Sequence, residues 1–203
     1  MTRLGWIVLA LFTFVAGAFG LLQTNAPPSP ERAELAPATN QPQAFAALTG
    51  SAQRRPIGDF GGRFTIPVRG VSPAQLVDTW HQAREGGARR HEAIDIVAPG
   101  GTPVLAAFAG KVEKLHLSAR GGITAYVRSH DGGLMAYYAH LQRYAPGLRE
   151  GQPVDDGALV GFVGDTGNSG AGNTHLHFAL ARMRPDEKWY DGEPIDPYPV
   201  LTR

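Results

Sequence analysis

From residue 56 onward, the chain consists of short apolar runs that alternate with turn signals built from glycine, proline and aspartate. The 203 residues include 26 Gly and 16 Pro without a collagen-like period, a composition typical of a turn-rich globular domain. Many short strands with such turns predict a mainly β fold, an antiparallel sandwich or barrel-like structure. A capping-box pattern at residues 72–75 predicts one helical turn. The predicted strands cover residues 63–67, 93–97, 103–108, 111–117, 123–130, 134–141, 159–163 and 175–182.

The first 22 residues are predicted to be a signal anchor or a signal peptide. Residues 4–22 contain a single polar side chain, Thr13, and they follow Arg3. About 20 apolar residues span a bilayer as a helix, whereas a cleaved signal has an apolar core of roughly 7–15 residues. The length therefore favours an uncleaved membrane anchor through residues 4–22. The positive charge before it predicts an exported chain that faces the periplasm or cell wall, or is secreted if the segment is cleaved.

Residues 23–55 are rich in Pro, Ala, Gln, Ser and Thr and have almost no β-branched or aromatic residues. Such a composition cannot bury enough apolar surface to offset the entropy of the chain, so we predict a disordered linker. The predicted organisation is an anchor or signal at residues 1–22, a linker at 23–55 and one folded domain at 56–203.

Charge and cysteine content limit the function of that domain. After residue 55 the chain carries 15 basic and 16 acidic residues, which argues against binding to nucleic acid through phosphate contacts. The chain has no cysteine, so disulfides, thiolate metal sites and catalytic thiols are excluded. A bound metal would need histidine, aspartate or glutamate ligands.

Two histidines lie on one face of the strand predicted at residues 175–182. Side chains alternate across a strand, so His175 and His177 point to the same side as two small alanines. The opposite face carries Leu176, Phe178 and Leu180 and is predicted to pack in the core. The histidine face therefore has open space above it, as a binding or catalytic site requires.

His91 and Asp95 form a second candidate pair, four residues apart. On a helix both could reach one ion, but the β-branched residues that run into Pro99 predict a strand. Four strand residues span about 13 Å, too far for two ligands of one ion. If both bind, His91 must lie in a loop that curls back over the strand, which Gly86 and Gly87 upstream would permit.

His140 ends a third strand, in the sequence Leu134-Met135-Ala136-Tyr137-Tyr138-Ala139-His140-Leu141. A period of two predicts that Tyr138 and His140 share one face, with Met135, Tyr137 and Leu141 on the other.

Together these motifs resemble the lysostaphin/LytM-type zinc metallopeptidases, which cleave peptide bonds of bacterial peptidoglycan. The resemblance rests on the order HxxxD, AHL and HLHF, with a glycine-rich loop at residues 164–172 before the last motif, and it extends from about residue 84 to residue 180. It implies a β domain of the LytM type, related to the duplicated hybrid motif. Further matching segments are residues 98–104, 109–112, 151–154 and 160–164.

The resemblance also implies roles for five residues. His91, Asp95 and His177 would bind one Zn²⁺ with water in the fourth position, and His140 and His175 would be the catalytic pair. The substrate would be peptidoglycan peptide, and cell-wall proteins are candidate regulatory partners. The sequence departs from the family at Ala93, a common glycine position, and at Asn173-Thr174, where relatives often have Gly-Pro. The remaining histidines, which are His81, His116 and His130, match no catalytic position and are predicted to be surface or packing residues.

Two other functions stay open at this point. A module of the same fold could bind cell wall or activate another hydrolase without catalysing a reaction, although such relatives lack one or more ligands. The residue pattern of 103–117 resembles the hairpin of a biotinyl- or lipoyl-like carrier. Such a carrier needs a modifiable lysine at the hairpin tip, but Lys111 and Lys114 lie inside a strand pattern. The glycine-rich loop lacks the Gly-Lys-Ser/Thr ending of a phosphate-binding loop, and Ser169 is a poor candidate for a nucleophile.

Overall fold

The computed structural model describes residues 64–203. The predicted anchor at residues 1–22 and the predicted linker at 23–55 lie outside the described residues, as does the start of the predicted domain at 56–203. Within residues 64–203, no helix combines the length and the apolar character that a membrane crossing needs.

The described residues form β-strands joined by short turns, with little helix. Single 3-10 turns cover Pro73–Gln75, Glu85–Gly87 and Gly167–Ser169. The described elements are β1 (Ala83–Arg84), β2 (Arg89–Arg90), β3 (Ile94–Val97), β4 (Pro103–Leu105), β5 (Gly110–Ser118), β6 (Gly122–Ser129), β7 (Leu134–Tyr144), β8 (Pro153–Val154), β9 (Leu159–Val163), β10 (His175–Arg182), β11 (Glu193–Ile195) and α1 (Tyr198–Leu201).

All strand pairs within the described residues are antiparallel, as predicted. Nine strands form a sheet whose central path runs β11-β10-β7-β6-β5-β8, and β1 and β2 form a separate hairpin. The sheet branches at β7, because its first half pairs with β10 up to Ala139 and its last residues pair with β9 from Leu141. The other edge of β10 pairs with two strands. The first half of β10 pairs with β3, and the last residues of β10 pair with β11.

The predicted strand at residues 63–67 is wrong for its described part. Residues 64–67 form no strand, and Val68 contributes only an isolated bridge to Val104. Pro67 lacks an N–H group and therefore cannot donate to a ladder at that position. The capping pattern is confirmed, since the Gln75 side-chain oxygen accepts hydrogen bonds from both the backbone N–H and the hydroxyl of Ser72.

The sheet buries one face in the main core and carries the histidines on the other. Leu176, Phe178 and Leu180 of β10 lie in the main cluster of buried residues, as their alternation predicts. Ala179 and Ala181 lie in a smaller cluster on the opposite face, together with buried tyrosines of β6 and β7. This second face forms the base of a cleft.

Candidate metal centre and active site

Three side chains meet where β3 pairs with β10. His177 on β10 lies directly opposite Asp95 on β3, and His91 lies in the chain just before β3. His91 Nε2 is 3.0 Å from His177 Nδ1 and 3.2 Å from Asp95 Oδ1, and His177 Nδ1 is 3.1 Å from the same carboxylate oxygen. The structure thus brings together the three residues that are predicted to bind the metal, with His91 in the short segment between β2 and β3.

The spacing of these three atoms fits a zinc ion. A tetrahedral ion with bonds of about 2.05 Å has ligand atoms about 3.3 Å apart, and the three separations here are 3.0, 3.1 and 3.2 Å. Two imidazoles and one carboxylate also match the donor set of hydrolytic zinc sites, which leave one position open for water. The residues present therefore fit the metal that the fold family implies.

Thr79 orients two of the three ligands, and sequence reasoning missed it. Its carbonyl oxygen accepts a hydrogen bond from His91 Nδ1 at 2.9 Å, which leaves Nε2 of that imidazole as the electron-pair donor. Its hydroxyl accepts a hydrogen bond from the Asp95 backbone N–H at 2.9 Å. Thr79 precedes His91 by 12 residues and carries no motif, so no local signal in the sequence indicates this role.

Arg84 holds the outer oxygen of the Asp95 carboxylate. The guanidinium Nη2 contacts Asp95 Oδ2, so Oδ1 is the oxygen that faces the two imidazoles. Burial alone would raise the pKa of Asp95, but hydrogen bonds and charges from His177 and His91 outweigh burial and hold this pKa well below its usual range. The carboxylate therefore remains ionised, as metal binding requires. Arg84 reaches it from the β1–β2 hairpin, whose turn contains Gly86 at φ 68°.

His140 and His175 lie beside the three ligands, with ring centres 4.9 Å apart. His140 Nδ1 donates to the Thr166 carbonyl at 2.8 Å, and His175 Nδ1 donates to the Asn173 carbonyl at 2.9 Å. Each imidazole therefore has its Nε2 atom available to a substrate. His175 Nε2 is 3.8 Å from Asp95 Oδ1, next to the candidate metal position.

The predicted alternation of β7 is wrong at His140. Tyr138 and Leu141 both pack in the main core, whereas His140 lies beside His177 on the cleft side, with ring centres 5.7 Å apart. The reason is a local change of backbone conformation, because His140 adopts a φ of 59°, which reverses the side to which the following residues point. His140 lies between Ala139, the last residue of β7 that pairs with β10, and Leu141, the first that pairs with β9.

Neighbouring loops hold His140 in this unusual conformation. Its backbone N–H donates to the Gly121 carbonyl at 2.8 Å. Gly164 directly follows β9 and allows the chain there to approach β7 closely. A Cβ at this position would lie 2.4 Å from the Gln142 backbone nitrogen. Burial, followed by the charge of His177, lowers the pKa of His140 to about 4, so the imidazole is neutral at neutral pH. A neutral imidazole with a free Nε2 can accept a proton.

The other histidines lie outside the ligand cluster. His81 accepts a hydrogen bond from the Trp80 indole at 2.8 Å, and His130 is exposed. His116 lines the cleft and packs against Trp189, with ring centres 5.3 Å apart. The row of aromatic rings continues from Trp189 through Tyr126 to Tyr137, which contacts the His177 ring. Sequence reasoning did not identify this aromatic wall.

The four histidines and the one aspartate of the site line a cleft of about 340 Å³. Its walls come from the β1–β2 hairpin, the β5–β6 turn, the loop before β10 and the segment after β10. The site is therefore accessible to an extended ligand rather than enclosed.

Comparison with known proteins agrees with the family resemblance that the sequence motifs indicate. The profile of peptidase family M23 matches residues 89–197, more than half of the chain. The L-Ala–D-Glu endopeptidase of Bacillus subtilis is 33% identical over 144 residues, which are 68% of this chain and 42% of that protein. The peptidoglycan DD-endopeptidase ShyC of Vibrio cholerae is 37% identical over 93 residues, 46% of this chain and 20% of that protein.

A solved structure has the same LytM-like fold. The catalytic domain of the antimicrobial peptidase lysostaphin from Staphylococcus simulans aligns with a TM-score of 0.50 and 28% identity, over 63% of this chain and 90% of that one. The chain spans less than half the length of the two curated relatives. The similarity to those proteins is therefore confined to one part of each.

Proposed function

The chain belongs to peptidase family M23, and from this premise we propose that it is a zinc-dependent endopeptidase that hydrolyses peptide cross-links of bacterial peptidoglycan. The observation that carries the proposal is the set of three ligand atoms 3.0–3.2 Å apart, with two further imidazoles beside it. Both parts are needed, because ligands alone would also suit a structural metal site.

His91 Nε2, Asp95 Oδ1 and His177 Nδ1 would hold the zinc ion. When bound, zinc lowers the pKa of a water molecule and polarises a carbonyl group. Thr79 and Arg84 keep the ligand atoms aimed at one point, through the hydrogen bonds to His91 and Asp95. Residues that hydrogen-bond to ligands in this way set both the affinity and the geometry of a metal site.

His140 and His175 would carry the proton transfers. His140 is neutral and its Nδ1–H is held by the Thr166 carbonyl, so its Nε2 is placed to take a proton from the attacking water. Once protonated, the same atom can return the proton to the leaving amine. His175, whose ring centre lies 4.9 Å from that of His140, would stabilise the developing oxyanion.

The relatives support a proposal for the substrate and the location. Two of them are named for endopeptidase activity, and one of these names specifies peptidoglycan. We propose the same polymer as substrate here, which requires export of the domain at residues 56–203. Residues 1–22 would serve as anchor or signal peptide and residues 23–55 as a linker from the membrane to the wall.

The experiment uses the purified full-length chain, its zinc content and its action on purified wall sacculi. We expect one zinc per chain and release of soluble fragments, whose masses identify the bond cut. His91→Ala should abolish both zinc binding and release, whereas His130→Ala, which changes an exposed histidine outside the cleft, should change neither. A chain that binds zinc and cleaves nothing would favour the non-catalytic wall-binding module, and full activity in His91→Ala would refute the mechanism.

A further inference from the structure

The aromatic wall, which consists of Trp189, Tyr126 and Tyr137, leads away from the candidate metal centre. The ring centre of Tyr137 lies 5.9 Å from that of His177, and the next two steps, to Tyr126 and then to Trp189, are 4.7 Å each. Trp189 is therefore within about 15 Å of a metal ligand, and an extended peptide covers that distance with about four or five residues. A substrate group a few residues from the scissile bond can reach Trp189.

Trp189 and Tyr190 form the accessible end of this wall. Both residues are half-exposed and line the cleft, whereas Tyr126 and Tyr137 are buried. The Trp189 ring packs against Tyr126 on the wall, and its centre lies 5.3 Å from that of His116 and 5.0 Å from that of Tyr190. The buried tyrosines thus support an indole ring that remains available to a ligand.

The composition of the cleft lining does not suit aliphatic side chains. Among the described residues that line it there is no valine, leucine, isoleucine, methionine or phenylalanine, and its apolar part consists of tyrosine, tryptophan, Ala139 and Ala179. Hydrogen-bonding side chains, such as those of Ser118 and Asn168, line the same cleft. Aromatic surface beside a few polar groups fits a ligand with one flat apolar face and polar groups at its rim.

The aromatic wall is also uncharged at neutral pH. Burial raises the pKa of Tyr126 and of Tyr137, so both phenols keep their protons. Burial, followed by the charge of Lys114, lowers the pKa of the neighbouring His116, so this imidazole is neutral. The wall therefore favours a neutral ligand.

We propose that Trp189 stacks on a sugar ring, so that the cleft binds peptide at the metal centre and glycan at the aromatic wall. This inference rests on the proposed endopeptidase function and adds the glycan as a second recognised part of its substrate. A sugar ring has C–H groups on its face and hydroxyl groups around its rim, and its C–H groups pack against the negative face of an aromatic ring. In peptidoglycan the peptides branch from glycan chains, so a site a few residues from the scissile bond is placed to contact the sugar.

The first experiment measures binding without cleavage. A tetrasaccharide of the peptidoglycan glycan, freed of peptide, contains no cross-link, so its binding is independent of endopeptidase activity. Isothermal titration calorimetry on the zinc-loaded full-length protein should give a dissociation constant that rises about five- to tenfold in Trp189→Ala, the scale of one stacked ring pair. Trp189→Phe keeps an aromatic face and should retain most of the affinity.

The second experiment compares two cross-linked peptides that differ only in an attached disaccharide. We expect the disaccharide to raise kcat/KM about five- to tenfold and Trp189→Ala to remove this preference, with the value for the sugar-free peptide changed by less than about twofold. Phe162→Ala removes another half-buried aromatic ring, outside the cleft, and should leave the ratio of the two values unchanged. Circular dichroism and zinc content verify that each variant is folded and loaded.

The outcomes separate this inference from the function on which it rests. If the tetrasaccharide binds through Trp189 but neither peptide is cleaved, the proposed function fails and the sugar site stands. If both peptides are cleaved with the same kcat/KM and the tetrasaccharide does not bind, the function stands and the sugar site is overturned. An equal loss of kcat/KM for both peptides in Trp189→Ala would show that Trp189 contacts the peptide, and would also overturn the assignment to glycan.

Discussion

Replacement of Thr79 by valine should weaken zinc binding although this residue is not a ligand. Valine has nearly the same shape as threonine but lacks the hydroxyl that accepts the Asp95 backbone N–H at 2.9 Å. Thr79 is only 8% exposed, so water cannot easily replace that acceptor. An unsatisfied buried donor costs about 1–3 kcal/mol, and loss of a group that orients a ligand typically weakens metal binding by about 10- to 100-fold.

Two measurements test this prediction. Urea denaturation of the metal-free protein measures the loss of stability, and competition with a chromophoric chelator measures the zinc dissociation constant. Thr79→Ser keeps the hydroxyl and should retain an affinity close to that of the unmodified protein, at the cost of a small cavity. If Thr79→Val binds zinc as tightly as the unmodified protein, the hydroxyl does not position Asp95 and the reasoning is refuted.

The remaining predictions concern the other groups that build the site. Arg84→Gln should lower zinc affinity and shift the visible absorption spectrum of the cobalt-substituted protein, with a smaller effect in Arg84→Lys; identical spectra in all three proteins would exclude a role at Asp95. His140→Ala should keep stoichiometric zinc and lose turnover by at least about 100-fold, the scale of general-base catalysis, and loss of the metal instead would make His140 structural. Gly164→Ala should reduce both the melting temperature and kcat, because its Cβ would lie 2.4 Å from the Gln142 backbone nitrogen. As a control, Gly100→Ala places its Cβ at an ordinary 3.4 Å from Thr174 Cγ2 and should change neither quantity.

The local pattern of apolar residues was sufficient to predict much of the fold. The strand at residues 159–163 and β10 were predicted with the bounds that the structure has, and the faces of β10 were predicted correctly. Strands of only two residues, such as β1 and β8, were not predicted, because two residues are too few to establish a period. Their existence depends on the neighbours with which they pair.

The sequence by itself identified the candidate ligands and the candidate catalytic pair, because the motifs HxxxD, AHL and HLHF resemble those of the LytM-type metallopeptidases. The tertiary structure decided how they face one another. His140 points into the cleft because β7 changes partners there and its backbone takes a positive φ, a change that depends on Gly121 and Gly164 from other parts of the chain. Thr79 and Arg84 contact Asp95 from other segments of the chain, and a periodic pattern within one strand holds no information about such contacts.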